Sequence, residues 1–169
     1  MPSSDRAQTP ETTRHCTRRM AARDLWFMER SPGTYTIVIQ NDAHEKIQVG
    51  QWGPLDLISG YYLYVGSALG PGGVAARVAR HCRRSKPFRW HIDYITAVAA
   101  PIAAWYYHSS AKLEHRWAAK LQRSAQLSHI ERFGSSDCRC ATHLFYTHKK
   151  PGPTLFTDLN ASYTRLTRQ

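Results

Sequence analysis

The fold is decided by residues 60–98, which read GYYLYVGSALGPGGVAARVARHCRRSKPFRWHIDYITAV. Aromatic and β-branched residues between glycines predict a strand over 60–68. The Gly-Pro-Gly-Gly segment that follows stops this strand, and the spacing of the apolar residues predicts helices over 74–84 and 90–98. A strand followed by two helices indicates a mixed fold rather than an all-β or all-α one.

Similar signals extend on both sides of this stretch. Further elements are predicted as a helix at 111–125 and strands at 33–40, 45–50, 101–109 and 141–148. Because strands and helices are interleaved but only three or four core strands are available, the pattern predicts a small α/β (α+β) sandwich rather than a doubly wound sheet.

The length and the chain ends divide the sequence into one domain and two tails. A chain of 169 residues has the length of a single domain. Residues 1–24 hold almost no large apolar side chains, so we expect them to be disordered. Residues 149–169 open with a Pro-Gly-Pro breaker after two lysines and are expected to be an appendage. The folded domain is then 25–148.

The chain is strongly basic, with 23 Lys and Arg against 12 Asp and Glu and a net charge of +11. This excess favours a polyanionic partner, with nucleic acid ahead of an anionic membrane. No apolar run approaches the roughly 20 residues of a spanning helix, which excludes the membrane-embedded class. Four unevenly placed cysteines make no disulfide framework, so we expect a reducing, intracellular and cytoplasmic setting.

The helix over 74–84 is predicted to carry a basic face. Arg77, Arg80 and Arg84 fall within roughly 60° of one another on a helical wheel, opposite the apolar residues. His81 lies at the seam, one turn beyond Arg77. Six basic residues and no acid lie between 77 and 89: Arg77, Arg80, Arg83, Arg84, Lys86 and Arg89. The cluster is either a solvated basic face or, as we favour, a phosphate-binding surface.

The helix over 111–125 carries Glu114 within its apolar stripe, one turn before Trp117. A carboxylate on the core side of a helix is unfavourable unless a cation meets it. The partner is either an arginine in a structural ion pair or a metal ion at a catalytic site.

Cys138, Cys140 and His143 form a separate group that can hold a soft metal ion, with His115 or Asp137 as a fourth ligand. The C-x-C spacing is shorter than the usual two-to-four-residue spacing between zinc ligands, and no second cysteine pair follows. The spacing therefore predicts reduced thiols rather than a zinc site.

Several of these residues form a series that resembles the GIY-YIG nucleases. The series consists of Gly33-Thr34-Tyr35 in one strand, Tyr64-Val65-Gly66 in a later strand, Arg77 and His81 on the next helix, and Glu114 on the last helix. Residues 60–94 and 133–146 are similar to the Uri-type branch, long described as a domain of unknown function and sometimes fused to endonuclease III-like glycosylases. The two tyrosines are 29 positions apart, so residues 41–59 are expected to be an insertion.

The resemblance covers roughly residues 30–148. It implies a fold with a central, mainly antiparallel sheet. It also implies that the protein is a metal-dependent endonuclease that hydrolyses phosphodiester bonds in DNA. Repair or processing of branched or damaged DNA is the implied role, with DNA favoured over RNA and a protein partner for targeting. The alternative is a non-catalytic nucleic-acid-binding module on the same fold.

The resemblance also assigns roles to single residues. The implied catalytic residues are Tyr35, Tyr64, Arg77, His81 and Glu114. Glu114 would hold one Mg²⁺ or Mn²⁺ ion, and zinc is not expected. The basic cluster itself, rather than the resemblance, predicts that nucleic acid contacts Arg80, Arg83, Arg84, Lys86 and Arg89.

Overall fold

The computed structural model describes residues 28–167 of the chain. In chain order the elements are β1 (Gly33–Asn41), β2 (Glu45–Val49), β3 (Gly53–Leu57), β4 (Gly60–Ala68), α1 (Gly73–Cys82), α2 (His91–Val98), β5 (Ala100–His108), α3 (Glu114–Gln122), β6 (Ser128–His129), β7 (Leu144–Thr147) and β8 (Ser162–Arg165), with 3₁₀ turns at 50–52, 153–155 and 157–159. The prediction that residues 1–24 are disordered lies outside the described residues.

Six strands form one antiparallel sheet in the order β6-β7-β4-β1-β5-β8. The pairing of β1 with β4 places Tyr35 opposite Gly66 and Ile37 opposite Tyr64. The two tyrosine motifs are therefore neighbours in the sheet, and the predicted insertion between them forms the β2–β3 hairpin. The predicted α/β fold with a mainly antiparallel central sheet is confirmed.

The structure corrects the prediction that residues 149–169 are an appendage. β8 pairs with β5 and becomes an edge strand of the main sheet. Ahead of it, Phe156 is buried and stacks on Trp105 with ring centroids 4.6 Å apart. The sheet has six strands rather than the predicted three or four because β8 and the two-residue strand β6 also join it. Neither of these short segments carries a strand signal of its own in the sequence.

The sheet separates two apolar clusters, because successive side chains of a strand point to opposite faces. On one face, Tyr35 and Ile37 of β1 pack with α1, α2 and the β2–β3 hairpin. On the other face, Leu63 and Val65 of β4 pack with α3 and the C-terminal segment. The sandwich thus has helices on both sides of its central strands.

α3 begins at Glu114, three residues later than position 111, where the sequence predicts its start. Glu114 therefore lies in the first turn of the helix, and it is buried on the same face as Trp117, Ala118 and Leu121, as the sequence predicts. No helix within residues 28–167 is long and apolar enough to cross a membrane.

Candidate active site

One cavity of about 440 Å³ contains the five predicted catalytic side chains. They come from four elements and are Tyr35 of β1, Tyr64 of β4, Arg77 and His81 of α1, and Glu114 of α3. The loop before β7 closes another part of the wall with Gly134, Ser136, Asp137 and Cys138. Side chains spread over 80 positions of the sequence thus line one space.

Tyr35 is held in the cavity by its strand partner and by α1. Its ring lies over Gly66, where an added Cβ would be 2.5 Å from the Tyr35 hydroxyl oxygen. The ring therefore reaches its position only because residue 66 has no side chain. From there, the hydroxyl oxygen is 2.9 Å from Nε2 of His81, a side chain that is itself buried.

Burial controls the protonation of these groups. Burial, and next the neighbouring Tyr64, raise the pKa of Tyr35 well above its ordinary value. Burial raises the pKa of Tyr64 to about 12, and Arg77 acts in the opposite direction without overcoming it. Burial lowers the pKa of His81 to about 3. At neutral pH the site therefore holds two phenols and a neutral imidazole.

Glu114 enters the cavity with one oxygen unpaired. Its side chain is buried, and its Oε1 lies 3.6 Å from Nε2 of His115. Its Oε2 is buried and has no hydrogen-bond partner among the described residues. No arginine in the described part of the chain forms the ion pair considered as the structural alternative. A buried carboxylate oxygen without a partner is costly unless a cation meets it.

Three arginines gather around one aromatic ring. The guanidinium carbons of Arg77, Arg80 and Arg89 lie 4.1, 4.5 and 5.3 Å from the ring centroid of Trp90. Cation–π attraction holds guanidinium groups near a tryptophan face. Trp90 thereby fixes Arg77 at the cavity wall.

The basic cluster pairs with an acid, Asp93, that lies four positions beyond the interval 77–89 in the sequence. Asp93 of α2 is fully buried and accepts a hydrogen bond from Nη1 of Arg80 at 2.8 Å. It also accepts backbone N–H groups of Arg89 and Trp90, at 2.9 and 3.0 Å. Burial alone would raise the pKa of Asp93, but these hydrogen bonds outweigh it and hold that pKa below its ordinary value.

Two predicted nucleic-acid contacts are corrected by this arrangement. Lys86 has only 3% of its side chain exposed, and its Nζ donates to Thr96 Oγ1 and to the carbonyl oxygens of Arg80 and His81. Arg80 is committed to Asp93 and to the carbonyl oxygen of Pro87. Both side chains stabilise the junction of α1 and α2, whereas Arg83, Arg84 and Arg89 are exposed.

The cysteine and histidine group lies beside the cavity. Ligand atoms of His115, Cys138, Cys140 and His143 all lie within 4.8 Å of one another. Cys138 and His143 also line the cavity wall, as does His115. Of the two candidates for a fourth ligand, the structure brings His115 to the group and leaves Asp137 on the cavity wall.

Sequence reasoning left several residues of the site without a role. Trp90 and Asp93 lie at the start of α2, where an acid in the first turn is a helix-start signal that could have marked Asp93 as structural. Lys112 lines the cavity two positions before Glu114 and is exposed. No local signal identifies Lys112, because its place depends on where α3 begins.

Comparison with known proteins gives a family. The pattern of the family described as "Domain of unknown function DUF123" matches residues 34–165, which run from the second residue of β1 to the end of β8 and include every residue that lines the cavity. No curated protein and no solved structure matches the chain.

Proposed function

The chain belongs to the DUF123 family, and from the contents of its cavity we propose that it is a metal-dependent endonuclease of GIY-YIG type that hydrolyses phosphodiester bonds in DNA. One observation carries the proposal: Tyr35, Tyr64, Arg77, His81 and Glu114 line a single cavity. Two phenols, a guanidinium, an imidazole and a carboxylate with one unpaired oxygen, lining the same cavity, match what phosphodiester hydrolysis requires.

The residues present fit the divalent ion that this chemistry uses. Glu114 supplies a buried carboxylate oxygen that lacks a partner in the described chain. Mg²⁺ is commonly bound through one or two carboxylates, with water and substrate phosphate completing its shell. When bound, such an ion polarises a phosphoryl oxygen and lowers the pKa of a bound water molecule.

Arg77 is placed to bind the scissile phosphate. It is half-buried and lines the cavity together with both tyrosines. Stacking on Trp90 restricts its guanidinium, so little side-chain entropy remains to be lost when the group donates to phosphate oxygens. Its charge then stabilises the negative charge that develops on those oxygens.

Tyr35 and His81 handle the proton of the attacking water. Tyr35 starts as a phenol, and His81 starts as a neutral imidazole. As the phenol oxygen takes a proton from water, its own proton passes to Nε2 of His81 along the 2.9 Å contact. The negative phosphate nearby raises the pKa of His81 when substrate is bound, which favours this transfer.

The surrounding surface supplies binding. Arg83, Arg84 and Arg89 are exposed in the segment between α1 and α2, where Arg89 lines the cavity, and Lys112 lines it near Glu114. Side chains of this kind neutralise backbone phosphates without reading sequence. We propose DNA rather than RNA, in repair or in the processing of branched or damaged DNA, with a protein partner for targeting. The three cysteines in the described residues are free, which suits a reducing cytoplasmic compartment.

The test is cleavage by the purified full chain of single-stranded, duplex, flap and mismatched DNA, each with Mg²⁺, Mn²⁺ or chelator. We expect metal-dependent cleavage that Glu114→Gln lowers by orders of magnitude, because the amide keeps the shape but loses the charge that holds the cation. The thermal stability of this variant should be unchanged or higher, since a buried charge has gone.

Glu131→Gln is the matched control, because Glu131 is an exposed glutamate of the same chain and its substitution changes the net charge equally. This variant should cleave like the wild type. If the wild type binds DNA tightly but cleaves none of the substrates with either metal, the chain is a binding module. If Glu114→Gln unfolds while its folded fraction still cleaves, Glu114 is a structural residue.

A further inference from the structure

The four side chains beside the cavity have the separations of a tetrahedral metal site. Nδ1 of His115 lies 3.2 Å from Sγ of Cys140, and Nε2 of His143 lies 3.4 Å from Sγ of Cys138. The largest separation within the group is below 4.8 Å. Zinc–sulfur and zinc–nitrogen bonds in a tetrahedron put neighbouring ligand atoms about 3.3–3.8 Å apart. One ion can therefore be reached by all four atoms after small side-chain movements.

The histidine nitrogens that face away from the sulfurs also have partners suited to metal ligation. Nδ1 of His143 lies 3.2 Å from the carbonyl oxygen of Val65, to which it can donate, and this leaves the lone pair of Nε2 facing Cys138. Nε2 of His115 faces the Glu114 carboxylate at 3.6 Å, which leaves Nδ1 facing Cys140. Metal-binding histidines almost always direct their other nitrogen to a carbonyl or carboxylate oxygen, which sets the tautomer.

The short C-x-C spacing does not oppose this arrangement. Zinc knuckles use a two-to-four-residue spacing when both cysteines belong to one tight turn. Here each sulfur faces a histidine from a different element, Cys138 beside His143 before β7 and Cys140 beside His115 on α3. Gly134, with a φ of +68°, begins the loop that brings the two cysteines to these histidines.

We propose that His115, Cys138, Cys140 and His143 bind one structural zinc ion. Two thiolates and two imidazoles are a common structural zinc ligand set, and four protein ligands leave no open position for catalysis. The ion links the first turn of α3 to the loop before β7, and through His143 to Val65 of β4. This assignment is independent of the nuclease proposal, because it rests on ligand geometry outside the catalytic group.

The first test is the metal content of the untagged full chain, measured by elemental analysis after dialysis against a weak chelator. We expect one zinc per chain. After zinc is exchanged for Co²⁺, a thiolate-to-cobalt band and intense visible bands of tetrahedral cobalt should appear. Wild-type protein that holds no zinc when refolded with one equivalent, or that holds iron instead, overturns the proposal.

Variants then test the ligands. His115→Ala removes the most exposed ligand and is the variant best suited to stay folded; it should bind zinc at least tenfold more weakly. Cys138→Ser/Cys140→Ser should hold no zinc and lose the thiolate band. His129→Ala and Cys82→Ala are the controls, because neither residue belongs to the group, and both should keep one zinc. If His115→Ala and the double cysteine variant keep the wild-type zinc content and cobalt spectrum, the assigned ligands are wrong.

Glu114→Gln separates this site from the catalytic one. Glu114 lies beside His115 but is not one of the four ligands. The substitution should weaken zinc binding by no more than about 10–100-fold, the range for an outer partner of a ligand, so the variant retains its zinc. Loss of all zinc from folded Glu114→Gln would make Glu114 a ligand and would contradict the proposed set.

Discussion

The sequence predicts Arg80 and Arg84 on one face of a helix over 74–84, but α1 ends at Cys82, and the structure predicts opposite consequences for the removal of these two side chains. Arg80→Ala leaves Asp93 fully buried without its closest cation, which is 2.8 Å away in the wild type. Removing one member of a buried ion pair destabilises a protein by about 3–5 kcal/mol. The Arg80 side chain is 20% exposed, and Nζ of Lys86 remains 3.9 Å from Oδ1 of Asp93, so we expect the lower end, about 3 kcal/mol.

The consequence is measured by equilibrium unfolding in urea and by thermal denaturation. For a chain of this length, a loss of about 3 kcal/mol lowers the midpoint temperature by about 6–12 °C. Arg84→Ala is the matched control, since Arg84 is an exposed arginine two residues beyond the end of α1, and its stability should stay within about 0.5 kcal/mol of the wild type. Arg84→Ala should instead reduce the slope of log K against log salt for duplex DNA by about 0.9.

A double-mutant cycle identifies the pair itself. If Arg80 acts through Asp93, the variant Arg80→Ala/Asp93→Ala loses less stability than the sum of the single losses, by about 0.5–3 kcal/mol. The reasoning is refuted if Arg80→Ala is as stable as the wild type and lowers the salt slope as Arg84→Ala does. Arg80 would then be a phosphate-binding residue, as the sequence predicts.

Two further predictions concern Tyr35 and His81. Gly66→Ala should lower the cleavage rate by at least tenfold with unchanged DNA affinity, because the new Cβ displaces the Tyr35 ring. Gly70→Ala is the control and should change neither cleavage nor affinity, because a Cβ at residue 70 meets nothing within 4 Å. His81 has a folded pKa near 3 against 6.5 unfolded, owing first to burial and then to Lys86, Arg77 and Arg80, with Asp93 opposing. The unfolded chain therefore binds one more proton than the folded chain as pH falls from 6.5 to 3. Over that window, the free energy of unfolding measured in urea should fall by on the order of 4 kcal/mol more in the wild type than in His81→Asn. Equal losses in the two proteins would show that His81 titrates normally when folded.

The elements with strong local signals could be predicted from the sequence. β1 and β4 combine β-branched or aromatic runs with flanking glycines, and the structure has both nearly where they are expected. β6 and β8 could not be predicted, because segments of two and four residues become strands only by pairing with β7 and β5. Burial of Phe156 likewise depends on a tryptophan 51 positions away in the sequence, with which it stacks.

The candidate site shows the same division between local and long-range information. Tyr35, Tyr64, Arg77 and His81 lie on elements with clear signals, and they meet because β1 pairs with β4 in a defined register. The pairing of Arg80 with Asp93 was missed because it joins two helices across a turn, and sequence reasoning counted acids only within 77–89. Net charge along a segment describes neighbours in the chain, whereas ion pairing depends on neighbours in space.

The first turn of α3 makes the two proposed metal sites interdependent. Glu114 and His115 are consecutive, yet the unpaired oxygen of Glu114 lies in the candidate active site while His115 faces the sulfur of Cys140. A zinc ion on His115 would hold this turn against the loop before β7, and the turn in turn fixes the direction of the Glu114 carboxylate. Position matters to a catalytic carboxylate at the scale of about 1 Å. If both proposals hold, a zinc ion at this turn would help a single carboxylate, without a second protein ligand, to hold a divalent ion in register with Arg77 and Tyr35.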